Sequence, residues 1–174
     1  MKLRPRAEVF CFKNGKVLCH WANGYTVFPG GGIDVNESAM QAAKREAMEE
    51  ADRVVLNCMA AHEPTVQMWA EGYAAKNKWA KGHTGGMTYW MVGTTSEKPF
   101  TPEVNAKERH KDYEKDYAWH EIPEVLKQLK TETDGDWKDD VVVRIGVLEN
   151  QSKLEEPLKA AQQLRLPATS MQVG

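Results

Sequence analysis

Three features of the chain predict an α/β fold. They are a hairpin near its start, a short strand running into three glycines, and an alanine-rich helix followed by another strand. The 174 residues are about one domain's worth, at roughly 150 residues per domain. Residues 1–166 are expected to form that domain and 167–174 a frayed tail.

Glu8–Phe12 and Val17–Trp21 flank Asn14-Gly15, a two-residue turn signal. Such a loop pairs Lys13 with Lys16, Cys11 with Leu18 and Phe10 with Cys19, so the two cysteines do not face each other. Tyr25–Phe28 is a short strand ended by Pro29. Gly30-Gly31-Gly32 then permits positive φ or close approach to a ligand. Residues 37–51 form the clearest helix, with Asn36 as N-cap and Glu37 in the first turn. Ala39, Ala42, Ala43, Ala47 and Ala51 give that helix propensity and a flat packing face. Val54–Leu56 is the next strand.

Residues 59–86 read as a strand, a loop and a short helix, and Met87–Val92 as a strand. Residues 96–112, polar and holding Pro99 and Pro102, read as a loop. Tyr117–Trp119 is a short strand, and Pro123 opens a helix carrying Val125, Leu126 and Leu129. Asp134-Gly135-Asp136 is a turn. Within 140–149, Val141, Val142, Ile145 and Leu148 fit helical spacing while the β-branched content favours a strand, so both readings stand. Leu154, Leu158, Ala161 and Leu164 mark a terminal amphipathic helix.

With 41% hydrophobic and 28% charged residues, the composition is that of an ordinary globular protein. Lys and Arg total 23 against 25 Asp and Glu, a net charge of -2, so there is no general basic excess of the kind that grips nucleic-acid phosphates. No uncharged apolar run approaches the roughly 20 residues that cross a bilayer. Glu8 and Lys13 interrupt the apolar stretch after the basic start, so no signal peptide is expected. Three cysteines without zinc spacing fit a reducing compartment, and a cytoplasmic location is expected.

One segment carries chemistry: Gly31 to Glu37, seven residues, then Arg45-Glu46 and Glu49-Glu50. On a helix, residues 46, 49 and 50 share an arc of roughly 100°. Carboxylates so placed repel one another, and a divalent cation removes the repulsion. Hard oxygen ligands suit Mg²⁺ or Mn²⁺. The glycines just ahead bring backbone close to such an ion and to a phosphate. The plain alternative is a solvated helix face.

This segment resembles the Nudix box, G-x5-E-x7-R-E-U-x-E-E-x-G-U, where U is a bulky aliphatic residue. Gly31, Glu37, Arg45, Glu46, Glu49 and Glu50 fall on family positions, and Phe28-Pro29-Gly30-Gly31 resembles the usual approach. A weaker resemblance extends over the preceding strands and over Trp119–Leu126. Asp52 stands in place of a glycine that ends the helix in a left-handed conformation, at a cost of about 1 kcal/mol. Arg53 stands in place of an aliphatic residue, with Val54 next in line to fill that slot, and Ala47 is small for its position.

The resemblance implies a mixed β-sheet sandwiched between helices and a hydrolase acting on a nucleoside diphosphate linked to another moiety. It implies that Glu46, Glu49, Glu50 and the Gly31 carbonyl hold Mg²⁺ or Mn²⁺. Arg45 would orient a glutamate, and Glu37 would support the loop and pair with Arg45. The general base would be Glu49 or Glu46, or the downstream Glu114, five residues before Trp119. Trp69, Tyr73, Trp79 and Trp90 are candidates for base stacking, with core packing as the alternative. Lys78, with Lys76 and Lys81, is a candidate for phosphate contact. His83 and His110 fit a surface role as well as a phosphate one.

The Pro or Tyr that marks some Nudix subgroups beyond the box is absent, and Trp69 stands there. This disfavours ADP-ribose and diadenosine polyphosphates without naming a substitute; a short chain with no evident extra substrate domain favours a (deoxy)nucleoside triphosphate, cleaved to monophosphate and pyrophosphate. Two other readings remain: a non-catalytic nucleotide-sensing or interaction module, and an RNA 5′-end pyrophosphohydrolase that the acidic balance disfavours. The expected partners are a small-molecule nucleotide and, as is frequent in the family, a second copy in a homodimer; no membrane partner is expected.

Overall fold

A computed structural model describes residues 2–96 and 117–164. The hairpin forms as expected. Strands β1 (Leu3–Lys13) and β2 (Lys16–Ala22) join through Asn14 and Gly15, both at positive φ, with Lys13 opposite Lys16. Short strands β3 (Tyr25–Val27) and β4 (Gly30–Gly32) lead to helix α1 (Ala39–Ala51) and the long strand β5 (Val55–Met68). A single helical turn, α2 (Tyr73–Lys76), and a 3-10 turn (Lys78–Ala80) precede β6 (Gly85–Thr95). Strand β7 (Ala118–Glu121), helix α3 (Ile122–Leu129), helix α4 (Lys138–Glu149) and helix α5 (Gln151–Leu164) complete the described chain. Glu114, His110, nearly all of the 96–112 loop and the 167–174 tail lie outside the described residues.

The sheet runs β3-β2-β1-β6-β5. It is mixed, because β1 and β6 are parallel while the other pairs are antiparallel. One edge of β1 changes partner midway: β4 pairs with Arg6–Glu8, and β2 takes over at Phe12 and Lys13. Helices cover both faces, and the period of two along β1 divides the core accordingly. Ala7, Val9 and Cys11 pack with the α1 alanines, Leu18, Val55 and Met91. Phe10 and Phe12 pack with Trp90, Val92 and residues of α3, α4 and α5. At its N-terminal half, the same face of β1 that carries Phe10 switches to Arg4, Arg6 and Glu8, and the core gives way to a cavity there.

Two local expectations change and one open reading is decided. Helix α1 starts at Ala39, and its N-cap is Ser38 rather than Asn36. Ser38 Oγ accepts from Gln41 N while Gln41 Oε1 accepts from Ser38 N, a capping box that Asn36 has no partner to form. Asn36 instead takes φ 65° in the loop. The ambiguous 140–149 stretch is helical, because a stripe of Asp140, Val141, Val147 and Leu148 buries at helical spacing and packing overrides β propensity. Asp52 caps α1 in the left-handed region as expected (φ 58°, ψ 40°), but Val55, not Val54, is the aliphatic residue that buries against the helix.

Cys11 and Cys19 are buried, and desolvation pushes both thiols up to about 12 and that of Cys58 to about 11. They are protonated space-fillers. Among the described residues, no helix is long and apolar enough to cross a membrane.

Candidate active site

The box folds around Arg45. Its guanidinium donates to both Glu37 oxygens (2.8 and 2.9 Å), the Gly32 carbonyl (2.8 Å), Glu46 Oε1 (2.9 Å) and Glu49 Oε2 (3.2 Å). Its planar fork suits this many-sided grip, and the surrounding carboxylates hold the group above its ordinary pKa. Glu37 also accepts from Asp34 N, which fixes the loop ahead of the helix. The expected Glu37–Arg45 pair is therefore present.

Glu46 and Glu50 line the cavity, one turn apart on α1, opposite the β4 glycines. A Cβ at position 31 would overlap the Glu46 carboxylate, so any larger residue there would push that side chain from its present place. Glu50 accepts from Gly30 N and from the Tyr117 hydroxyl, each at 3.2 Å. Burial, then the charge of Glu46, pushes the Glu50 carboxyl up to about 8.

The three glutamates do not converge as the box spacing alone implies. Among the described residues, no three acidic, histidine or cysteine side chains form a ready metal-ligand set. Arg45 holds both Glu46 and Glu49, at 2.9 and 3.2 Å, while Glu50 turns to Gly30 N and the Tyr117 hydroxyl. The donor chemistry still fits a hard cation. Two carboxylates repel beside a glycine cradle in a half-closed site, and Arg45 is the counter-charge that a cation would replace.

The cavity, of about 580 Å³, extends from these carboxylates past Arg4 and Arg6 to an aromatic group. Trp69, Tyr73 and Trp79 meet with ring centroids 5.2–5.7 Å apart, and Trp137 meets Tyr73 at 5.9 Å. Arg4 stacks over Trp79 at 4.9 Å. The far wall holds a buried ionic group. Arg144 donates to both Glu8 oxygens (2.8 and 2.9 Å), and Arg6 reaches Glu8 at 3.4 Å. Burial alone would raise the Glu8 carboxyl, but Arg144 and then Arg6 hold it below its ordinary value. Asp140, buried beside them, is raised by desolvation against the pull of Arg144.

Of the proposed substrate contacts, Trp69 and Tyr73 line this cavity, and so does Trp79. Lys78 is exposed on the 3-10 turn and is not part of the lining. Trp90 is wholly buried in the core, its indole donating to Thr65. His83 bonds the Lys81 carbonyl away from the lining residues. Sequence reasoning passed over Arg4, Arg6, Glu8, Trp137, Asp140 and Arg144. The one available signal was the run Arg4, Arg6, Glu8 at alternate positions of a strand otherwise apolar on that face.

A glycine strand, a carboxylate-bearing helix and an arginine hub on a helix-flanked mixed sheet define a phosphate-anhydride hydrolase scaffold. The comparisons name the family. The NUDIX domain profile matches residues 2–141, and the chain belongs to the Nudix family as a Nudix-type hydrolase. Among solved structures, a NUDIX hydrolase from Nitrosomonas europaea is 19% identical with a TM-score of 0.50, over 74% of this chain and 79% of its own. A structure described as an ADP compounds hydrolase is 14% identical with a TM-score of 0.56, over 86% of this chain and 73% of its own. At these identities the likeness is one of fold. No curated protein matches the sequence.

Proposed function

We propose that this protein is a Mg²⁺- or Mn²⁺-dependent pyrophosphohydrolase that cleaves a (deoxy)nucleoside triphosphate to the monophosphate and pyrophosphate. One observation carries the reading: a single cavity joins the Glu46–Glu50 pair to an aromatic cluster by way of Arg4 and Arg6. The rings suit a base, the two arginines suit phosphate oxygens, and the acid pair suits a cation bound at the phosphoanhydride bridge.

Glu46, Glu50 and the Gly31 carbonyl would hold the cation, with Glu49 released to it from Arg45. When bound, it supplies counter-charge to phosphate oxygens and lowers the pKa of a water. Arg4 and Arg6 neutralise the phosphate chain. Trp69, Tyr73 and Trp79 give the base a surface to stack on. Glu46 or Glu49 takes the proton of the attacking water, and Glu114 is the other candidate for that task. As the water oxygen bonds to phosphorus, the bridging P–O bond breaks and the leaving phosphate keeps its electron pair.

The test is release of pyrophosphate or phosphate from a nucleotide panel with Mg²⁺ or Mn²⁺, run with Glu49→Gln and Glu50→Gln, and with 5′-triphosphorylated RNA as one substrate. Turnover of triphosphates that both variants abolish supports the reading. Tight nucleotide binding without turnover by the unaltered protein replaces it with a sensing module.

A further inference from the structure

Glu50 is tied to two segments outside its own helix. Gly30 N, on β4, and the Tyr117 hydroxyl, just ahead of β7, each donate to it at 3.2 Å, and both reach the same oxygen, Oε2. The terminal torsion of a glutamate is soft, so a carboxylate turns readily unless its two oxygens are held differently. Here two donors from separate parts of the sheet single out Oε2. That leaves Oε1 for a cation.

Tyr117 suits this task because its ring is held independently of Glu50. Its neighbours Ala118 and Trp119 pair with Cys19 and Leu18 of β2, which fixes the backbone beside it. The ring lies edge-on to the buried His20, with centroids 4.5 Å apart. It also packs against the apolar cluster built on the α1 alanines. A hydroxyl carried on a ring so packed is in position before any ligand arrives. Phenylalanine would fill the same space and would have no donor, so packing alone does not account for a tyrosine here.

We propose that Tyr117 is a positioning residue for the cation site: with Gly30 N it fixes Glu50 Oε2, so that Oε1 is presented to Mg²⁺ or Mn²⁺. The role rests on the metal-dependent reading above and adds to it a side chain from outside the box. Its effect is exerted through Glu50. Hydrogen bonds that orient a metal ligand in this way are worth about 10- to 100-fold in metal affinity.

The test is Mn²⁺ binding to the whole metal-free protein, read from the EPR signal of free Mn²⁺. It compares the unaltered chain, Tyr117→Phe, Glu50→Ala and the double variant. Tyr117→Phe should weaken Mn²⁺ by about 10-fold or more. In the Glu50→Ala background the same substitution should change affinity by less than about twofold, because the group through which the hydroxyl acts is gone. In turnover, Tyr117→Phe should need about 10-fold more Mn²⁺ for half-maximal rate, and saturating Mn²⁺ should restore most of kcat. An unchanged affinity in folded Tyr117→Phe overturns the proposal, and so does an equal loss in both backgrounds. A second measurement does not depend on the variants folding. 3-Fluorotyrosine placed at position 117 of the otherwise unaltered protein should give a ¹⁹F resonance that moves on saturation with Mg²⁺, and a resonance that stays in place overturns the proposal. If the unaltered protein takes up no Mn²⁺ at all, the metal-dependent reading falls together with this one, whereas Mn²⁺ binding that ignores residue 117 removes this inference alone.

Discussion

Two arginine centres border one cavity, and they differ in charge balance. Arg45 stands among Asp34, Glu37, Glu46 and Glu49, with Glu50 beyond: acid is in excess. Around Arg144, two guanidiniums face two carboxylates, Arg6 and Arg144 against Glu8 and Asp140. The first has more negative charge than its arginine can satisfy, which suits it to the cation proposed above. The second is balanced and its Glu8–Arg144 pair is buried, with Arg144 5.7 Å from the Trp90 ring, while Arg6 is partly exposed to the cavity. A balanced buried group fixes shape instead. The difference separates a centre whose charge is meant to change from one whose charge holds the wall in place.

The sharpest way to break that comparison is to neutralise one acid in each centre and measure both activity and stability. Glu50→Gln should lower kcat by about 10²- to 10⁴-fold and leave the metal-free protein at least as stable, because it removes a buried, repelled carboxylate. Glu8→Ala should do the reverse in kind. It strands the Arg144 guanidinium in the interior, at a cost of about 3–5 kcal/mol in urea unfolding with an unchanged m-value. If Glu8→Ala leaves stability intact while abolishing turnover, the assignment of the two centres is inverted.

The centres should also respond to pH in opposite directions. Glu50 is raised from 4.5 to about 8 in the folded chain, so the folded state holds the extra proton between those values. Metal-free stability should therefore fall as pH rises from about 4.5 towards 8, and Glu50→Gln should flatten that limb. Glu8 is lowered from 4.5, so its contribution is complete above that value and is lost as pH falls through the folded pKa. Glu8→Gln should flatten the acid limb alone. Thermal melts from pH 3 to 9 without divalent ions read both slopes, and slopes of the same sign would show that the two carboxylates are not in different environments.

The same contrast explains what the sequence made legible. Arg45, Glu46 and Glu49 lie on one helix and Glu37 just ahead of it, so their nearness to one another is a local property of the chain. So is the hairpin, because Asn14-Gly15 is a local turn signal. Glu8 and Arg144 meet only through the packing of α4 on the sheet, and no local pattern marks a contact 136 residues apart. The helical state of α4 was open for the same reason, since its buried stripe has meaning only against β1, β5 and β6. Even within the box, spacing set the arc of the glutamates but not the pull of Arg45 on Glu49, which is a matter of charge.

The smallest expected effect tests whether the chemistry of the box and the ending of its helix are separable. Asp52 holds φ 58° as the C-cap of α1, where its own N–H reaches back to the Met48 carbonyl at 3.2 Å and Arg53 N reaches the Ala47 carbonyl at 3.1 Å. A Cβ in that conformation crowds the carbonyl oxygen, a strain of about 1 kcal/mol that glycine does not carry. Glycine in turn gives the unfolded chain more freedom to lose, which offsets part of the gain. Asp52→Gly should therefore raise stability by less than about 1 kcal/mol, a rise in Tm of about 2–4 °C at most for a chain of this size. Asp52 is not part of the cavity lining, although Glu50 two residues before it is, so kcat and KM should not move as long as the helix keeps its ending. A large change in kcat with an unchanged Tm would mean that the helix ending sets the position of Glu49 and Glu50, and the departure of this box from its family pattern would then be catalytic in origin.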